Sequence, residues 1–203
     1  MARYTGPKNK KARRLGVDLG LKTAGSKSLE RRLATPPGQH GRKGTRKVSD
    51  YGVQLSEKQK AKLIYGLMEK QFKKYYTIAS RDPLATGEVM LSLLERRLDN
   101  VVYRLGFAPT RAAARQLVAH GNVRVEGKKV NIPSFQVTVG QVVTLTDNAA
   151  KIPYIKTLLE DKEFKAPTWL ERKAIVGKVS RAPARADITE AINEQLIVEF
   201  YSR

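Results

Sequence analysis

The first 47 residues of this chain cannot build a core. They carry 14 Lys+Arg against 2 Asp+Glu, 7 of the chain's 15 glycines, the Pro36-Pro37 pair and one aromatic, Tyr4. That leaves too little apolar surface to offset the entropy lost on ordering. Folding must be driven from residues 48–203, and the leading segment is expected to stay extended until it meets a polyanion.

That segment accounts for most of a formal net charge of +20, a self-repulsion with a use where an anionic partner neutralises it. A membrane surface is one such polyanion, but the sequence has no long apolar run, amphipathic anchor or lipidation motif. Nucleic acid is therefore the expected partner, with no membrane and no small-molecule substrate. No apolar segment or cleavage signal follows the basic start, so a mature cytoplasmic protein is expected. There is no cysteine, which removes disulfides, thiolate-bound zinc, iron–sulfur clusters and a cysteine nucleophile. His40 and His120 stand alone, so neither a metal nor a cofactor is expected.

Against RNA, Arg3, Lys8, Lys10, Lys11, Arg13, Arg14, Arg42, Lys43, Arg46 and Lys47 can pair with phosphates and release counterions. A solvated charge run that touches nothing specific is the plainer reading. From Ser56 the pattern turns helical, with a Ser-x-x-Gln box at Ser56 and Gln59 ahead of Leu63, Ile64 and Leu67. A second helical stretch, 68–79, interleaves Phe72, Tyr75 and Tyr76 with Lys70, Lys73 and Lys74. Aromatics at that spacing favour a core over base stacking.

Residues 88–106 read as one helix in which Leu91, Leu94, Leu98, Val101, Val102 and Leu105 repeat at three- and four-residue steps. Its other side gathers Arg97, Asn100 and Arg104 in one sector. After the Gly106 to Pro109 break, Thr110 is an N-cap and a helix runs to His120, closed by Gly121. Ala113, Ala114, Leu117 and Val118 form its buried side. Arg111 and Arg115 sit one turn apart beside small residues, where a phosphate can approach an amino-terminal helix end. Gln116 and His120 border that face; an exposed helical face is the plainer reading of the arginines, and phosphate binding is the favoured one. Residues 122–130 then alternate as a strand turning at Gly127, carrying Arg124, Lys128 and Lys129, and residues 137–145 add strand character.

The run from Leu98 to Phe107, with Thr110-Arg111, the stretch Ala114 to Val118 and His120-Gly121, resembles the RNA-binding module shared by S-four ribosomal proteins, some pseudouridine synthases and a tyrosyl-tRNA synthetase. The segments Met1 to Pro7, Pro36 to Gly41 and Asn193 to Arg203 resemble the bacterial or organellar S-four ribosomal family itself, which adds Tyr4, Gln39 and His40 to the expected RNA contacts. The resemblance implies an α+β fold: a helical first domain completed by the C-terminal segment, with an inserted module of two helices packed on a small, mainly antiparallel sheet. Expected boundaries are 1–47 for the basic extended segment, 48–90 plus 187–203 for the helical domain, and 91–186 for the module and its extension. Residues 146–186 match least well, and their fold is left open.

The implied function is a structural constituent of the small ribosomal subunit. As a primary rRNA binder it would nucleate assembly of the subunit body and support decoding accuracy where messenger RNA enters. The implied partners are small-subunit rRNA and the S-three and S-five types of ribosomal protein, with messenger RNA as a further one. Some relatives hold zinc through four cysteines in the leading segment; Asn9, Ala12 and their neighbours supply none, so a zinc-free version is expected. The enzymatic alternative, a pseudouridine synthase using the same module, needs a sizeable catalytic domain and a positioned Asp, and no nucleophile–base constellation emerges. Residues 41–45 lack the frame of a phosphate-binding loop. Translational repression through messenger-RNA binding would use the same surface.

Overall fold

The computed structural model describes residues 3–22, 27–39, 41, 47–161 and 164–203. In chain order its elements are α1 (Lys8–Leu15), α2 (Lys27–Glu30), α3 (Asp50–Ile64), α4 (Glu69–Ala79), α5 (Thr86–Glu95), α6 (Leu98–Arg104), α7 (Arg111–Ala119), β1 (Val123–Val125), β2 (Lys128–Lys129), β3 (Val142–Leu145), α8 (Asp147–Ala150), α9 (Pro153–Glu160), β4 (Leu170–Lys173), β5 (Val176–Val179) and α10 (Glu194–Ser202). They group into two compact units, Met1–Gly87 with Ala191–Arg203, and Glu88–Glu190.

The first unit is helical. α3 starts earlier than the box at Ser56 suggests: Ser49 is the cap, its Oγ accepting from the Gly52 N–H at 3.3 Å, and Ser56 lies inside the helix. Gly52 in the first turn lowers local helix propensity and hides the true start from a sequence reading. α10 lies along α3, with Ile197, Ala61 and Phe72 fully buried. Asn193 caps α10 by accepting from the Gln195 and Leu196 N–H groups. On α4 the aromatics are core, as their spacing indicates: Phe72 and Tyr75 are buried and Tyr76 stacks on Tyr201 at 4.7 Å between ring centres. Lys70, Lys73 and Lys74 are exposed.

In the second unit the expected helix over 88–106 is two helices, α5 and α6, parted at Arg96-Arg97. Arg97 is extended (ψ 137°) and forms an antiparallel bridge with Gln136. The Leu98 N–H donates to the Phe135 carbonyl at 2.8 Å, and the Val137 N–H to the Arg96 carbonyl at 2.9 Å. Leu91, Leu94, Leu98, Val101, Val102 and Leu105 are nonetheless all fully buried. The break costs a short stretch of helix without moving the apolar stripe.

α7 ends as expected: the Asn122 N–H donates to Leu117 and the Gly121 N–H to Val118, with Gly121 at φ +72°, the paired bonds that close a helix on a left-handed residue. The sheet has the order β2-β1-β3-β5-β4, antiparallel throughout. Val123, Val125, Val143, Leu145 and Val179 point into the core shared with α6 and α7. Strand structure expected from Val137 begins only at Val142. Residues 146–186 supply α8, α9 and the β4–β5 hairpin, which extends the sheet beside β3 and buries Trp169 completely. The hairpin seats tightly: a Cβ on Gly177 would lie 2.4 Å from Leu105 Cδ1.

Candidate nucleic-acid interface

The arginines of α6 and α7 do not form the outward sector that spacing suggests. Arg97, Asn100, Arg104 and Arg115 are buried, because Arg97 lies outside the helix and carboxylates meet the charges internally. Arg97 grips Asp99 at two points (Nε to Oδ1 3.0 Å, Nη2 to Oδ2 2.6 Å), and Arg115 Nη1 lies 3.9 Å from Asp99 Oδ2. Burial pushes the Asp99 carboxyl up from its ordinary value, against the opposing pull of Arg97 and Arg115.

Arg104 grips Glu95 in the same two-point manner (Nε to Oε2 2.9 Å, Nη2 to Oε1 2.8 Å) and bonds Glu190 Oε2 at 2.5 Å. Arg111 donates to Asn100 Oδ1 at 2.8 Å and to Glu190 Oε1, with its guanidinium 4.5 Å from the centre of the Tyr103 ring. Burial raises the Glu190 carboxyl, but the charges and hydrogen bonds of Arg111 and Arg104 outweigh it and hold the group at about 2. A buried guanidinium without a partner would cost several kcal/mol, so Asp99 against Arg97 and Glu95 against Arg104 are conditions of the fold. Glu95, Asp99 and Glu190 are the members that sequence reasoning missed. Asp99 stands two residues from Arg97 and could have been found from spacing; Glu190, 79 residues from Arg111, could not.

The exposed cations sit elsewhere in this unit. In β1 the valines point in and Arg124 points out, and Arg124 is the cross-strand partner of Lys129. Like charges directly opposite on a ribbon are destabilising unless an anion joins them. Neither has a carboxylate partner among the described residues. The two border a groove of about 290 Å³ with His120, Asn122, Thr146, Asp147 and Asn148, at the end of α7. Lys129 reaches it by folding across Gly121, where a Cβ would stand 2.1 Å from Lys129 Cε. Gln116 is exposed and lines an adjoining depression with His120 and Asn122, and Lys128 is exposed on the same ribbon. The sequence-predicted Gln116, His120, Arg124, Lys128 and Lys129 thus lie in one neighbourhood. Asn122, Thr146, Asp147 and Asn148 join the groove without having been foreseen; nothing in their local spacing signals that β3 returns beside β1.

In the leading segment Arg3, Lys10, Arg14, Gln39 and Lys47 are exposed. Arg13 instead spends its guanidinium on the backbone, donating to Thr35 at 3.0 Å and to the Arg32 and Pro36 carbonyls at 3.2 Å. Lys8 donates to the Leu21 carbonyl at 3.0 Å, and Lys11 lies 5.3 Å from the ring centre of the half-buried Tyr4. These contacts give part of the segment a local fold around α1. His40, Arg42, Lys43 and Arg46 lie outside the described residues. Among the described residues no group of three or more His, Cys, Asp or Glu could hold a metal ion.

Two family profiles match the chain: "Ribosomal protein S4/S9 N-terminal domain" over residues 3–95 and "S4 domain" over residues 96–143. It is 54% identical to the small ribosomal subunit protein uS4 of Herpetosiphon aurantiacus over 211 aligned residues, with all of both chains covered. The proteins of the same name from Chloroflexus aurantiacus and Akkermansia muciniphila are 53% and 51% identical, again over the full length of both chains. With an exposed cation ribbon beside two core helices and relatives of this identity along its whole length, the chain belongs to the uS4 family of small ribosomal subunit proteins.

Proposed function

We propose that this chain is a primary binder of small-subunit rRNA that nucleates assembly of the subunit body and supports decoding accuracy, working in the bacterial cytoplasm beside S-three- and S-five-type neighbours. As a uS4-family member it is a structural, non-enzymatic constituent of the small ribosomal subunit, and the pseudouridine-synthase alternative has no support. The grip is assigned to the β1–β2 ribbon and the α7 end, through Gln116, His120, Arg124, Lys128 and Lys129, together with Arg3, Tyr4, Lys10, Arg14, Gln39 and Lys47 of the leading segment. Arg97, Asn100 and Arg115 act behind this surface by fixing α6 and α7.

The observation that carries the reading is the Arg124–Lys129 pair, two cations in register across a ribbon with an open groove beside them. A phosphate backbone supplies the charge that would make this arrangement favourable. The test is filter binding of small-subunit rRNA over a salt series. The double variant Arg124→Ala/Lys129→Ala should flatten the log–log slope by roughly 1 to 2, the loss of one or two phosphate contacts, with an unchanged unfolding midpoint. An unaltered slope would move the grip away from the ribbon.

A further inference from the structure

Glu190 stands where two arginines converge. Each oxygen of its carboxylate takes one guanidinium, Arg104 on Oε2 at 2.5 Å and Arg111 on Oε1. Both guanidiniums are held from behind by other groups, Arg104 by Glu95 and Arg111 by Asn100 and the Tyr103 ring. Their positions therefore do not depend on Glu190 alone. The side chains of Arg104 and Arg111 are 9% and 10% accessible and that of Glu190 17%, which puts the carboxylate at the outer end of the cluster.

A groove of about 510 Å³ runs past this point, bordered by Tyr103, Arg104, Lys165, Thr168, Thr189 and Asp187, whose carboxylate is already paired with Arg181. With Glu190 in place, Arg104 and Arg111 are balanced by Glu95 and Glu190; without it one positive charge remains. A phosphodiester matches that vacancy, having one negative charge and two terminal oxygens that take guanidinium donors as a carboxylate does.

We propose that Arg104 and Arg111 form a phosphate site in which Glu190 is the internal occupant, and that an RNA phosphodiester exchanges with it when the backbone lies in the adjoining groove. This rests on the RNA-binding reading above. Its ligand is a phosphate group, and Lys165 on the groove wall is the next cation along.

The test uses the full chain and inorganic phosphate, so that its outcome does not depend on RNA binding. Thermal unfolding is followed through Trp169, the only tryptophan, in phosphate and in chloride at equal ionic strength. Glu190→Gln removes the carboxylate's charge and leaves the guanidiniums in excess, and phosphate should raise its midpoint by roughly 4 °C or more beyond any rise in the wild type. The double variant Arg111→Ala/Glu190→Gln should lose that excess. With rRNA, Glu190→Gln should keep the wild-type log–log salt slope or steepen it by up to about 0.9, since the phosphate contact no longer has to displace a carboxylate. A phosphate response equal in wild type and Glu190→Gln overturns the proposal, as does a shallower salt slope. Should Glu190→Gln fail to fold, Glu190→Asp keeps the charge but shortens the reach, and absence of any excess phosphate stabilisation in it overturns the proposal equally. Failure of wild-type protein to bind rRNA would strike the function above and leave the phosphate result standing.

Discussion

Arg97 has no accessible surface and closes a two-point contact on Asp99. Truncating it strands a buried carboxylate, so Arg97→Ala should cost about 3 to 5 kcal/mol, read from urea unfolding through Trp169 fluorescence. Lys128→Ala on the exposed ribbon should leave the same midpoint unmoved; equal losses in both would sink the division between buried and exposed cations. Acid stability follows from single carboxylates as well. Glu190 is held at about 2, and so is Glu69, where burial raises the group but hydrogen bonds from Lys58, Tyr201 and Lys62 prevail. A folded value below the unfolded one stabilises fully above the ordinary carboxylate value of 4.5 and less as pH falls towards 2. The urea midpoint should therefore hold down to about pH 5 and drop steeply below it; a midpoint that rises on acidification contradicts these pairings. At this scale the sequence shows which residues are cationic but not which are already neutralised. Gln116, Arg124, Lys128 and Lys129 read correctly as surface, because short-range alternation and helix phase decide them. Arg104 and Arg111 do not, because Glu190, 86 residues from the first and 79 from the second, helps to neutralise both.

The seam between α3, α4 and α10 is bound by polar as well as aromatic contacts. The Tyr201 hydroxyl donates to Glu69 Oε1 at 2.7 Å, and Lys58 bonds the same carboxylate while lying 4.3 Å from the Phe200 ring centre. Tyr201→Phe keeps the ring stack on Tyr76 and removes only the hydrogen bond, so it should cost about 1 kcal/mol, seen in far-ultraviolet circular dichroism during thermal unfolding. A loss several times larger would mean that the ring itself moves. Elements were largely legible where apolar phase runs long: the stripe of α5 and α6 and the buried face of α7 follow from spacing. The interruption at Arg97 does not, since one extended residue held by the carbonyl of Phe135 leaves the phase of the leucines intact. The hairpin of 146–186 escaped for the opposite reason. Its strands are four residues each and carry Glu171, Arg172, Lys173 and Lys178, too short and too charged to announce a strand, and they form because β3 offers an edge.

For the molecule as a whole, composition told most of the story that matters for its partner. A net charge of +20 calls for an anionic partner, the lack of a long apolar run or lipidation motif turns that towards nucleic acid before any element is drawn, and the family assignment bears this out. If ~8 phosphates are neutralised, affinity for rRNA should fall with salt at a log–log slope steeper than about −5, measured between low and physiological ionic strength. A slope near −2 would mean that most of the charge stays solvated. The contact of Gly177 with Leu105 reaches beyond this one chain. Because hydrogen is all that fits there, position 177 works as a gauge of how closely the added hairpin can dock. Any descendant bearing a methyl or larger group at that place must either shrink its counterpart of Leu105 or let the outer two strands ride farther from the helices, widening the whole sheet.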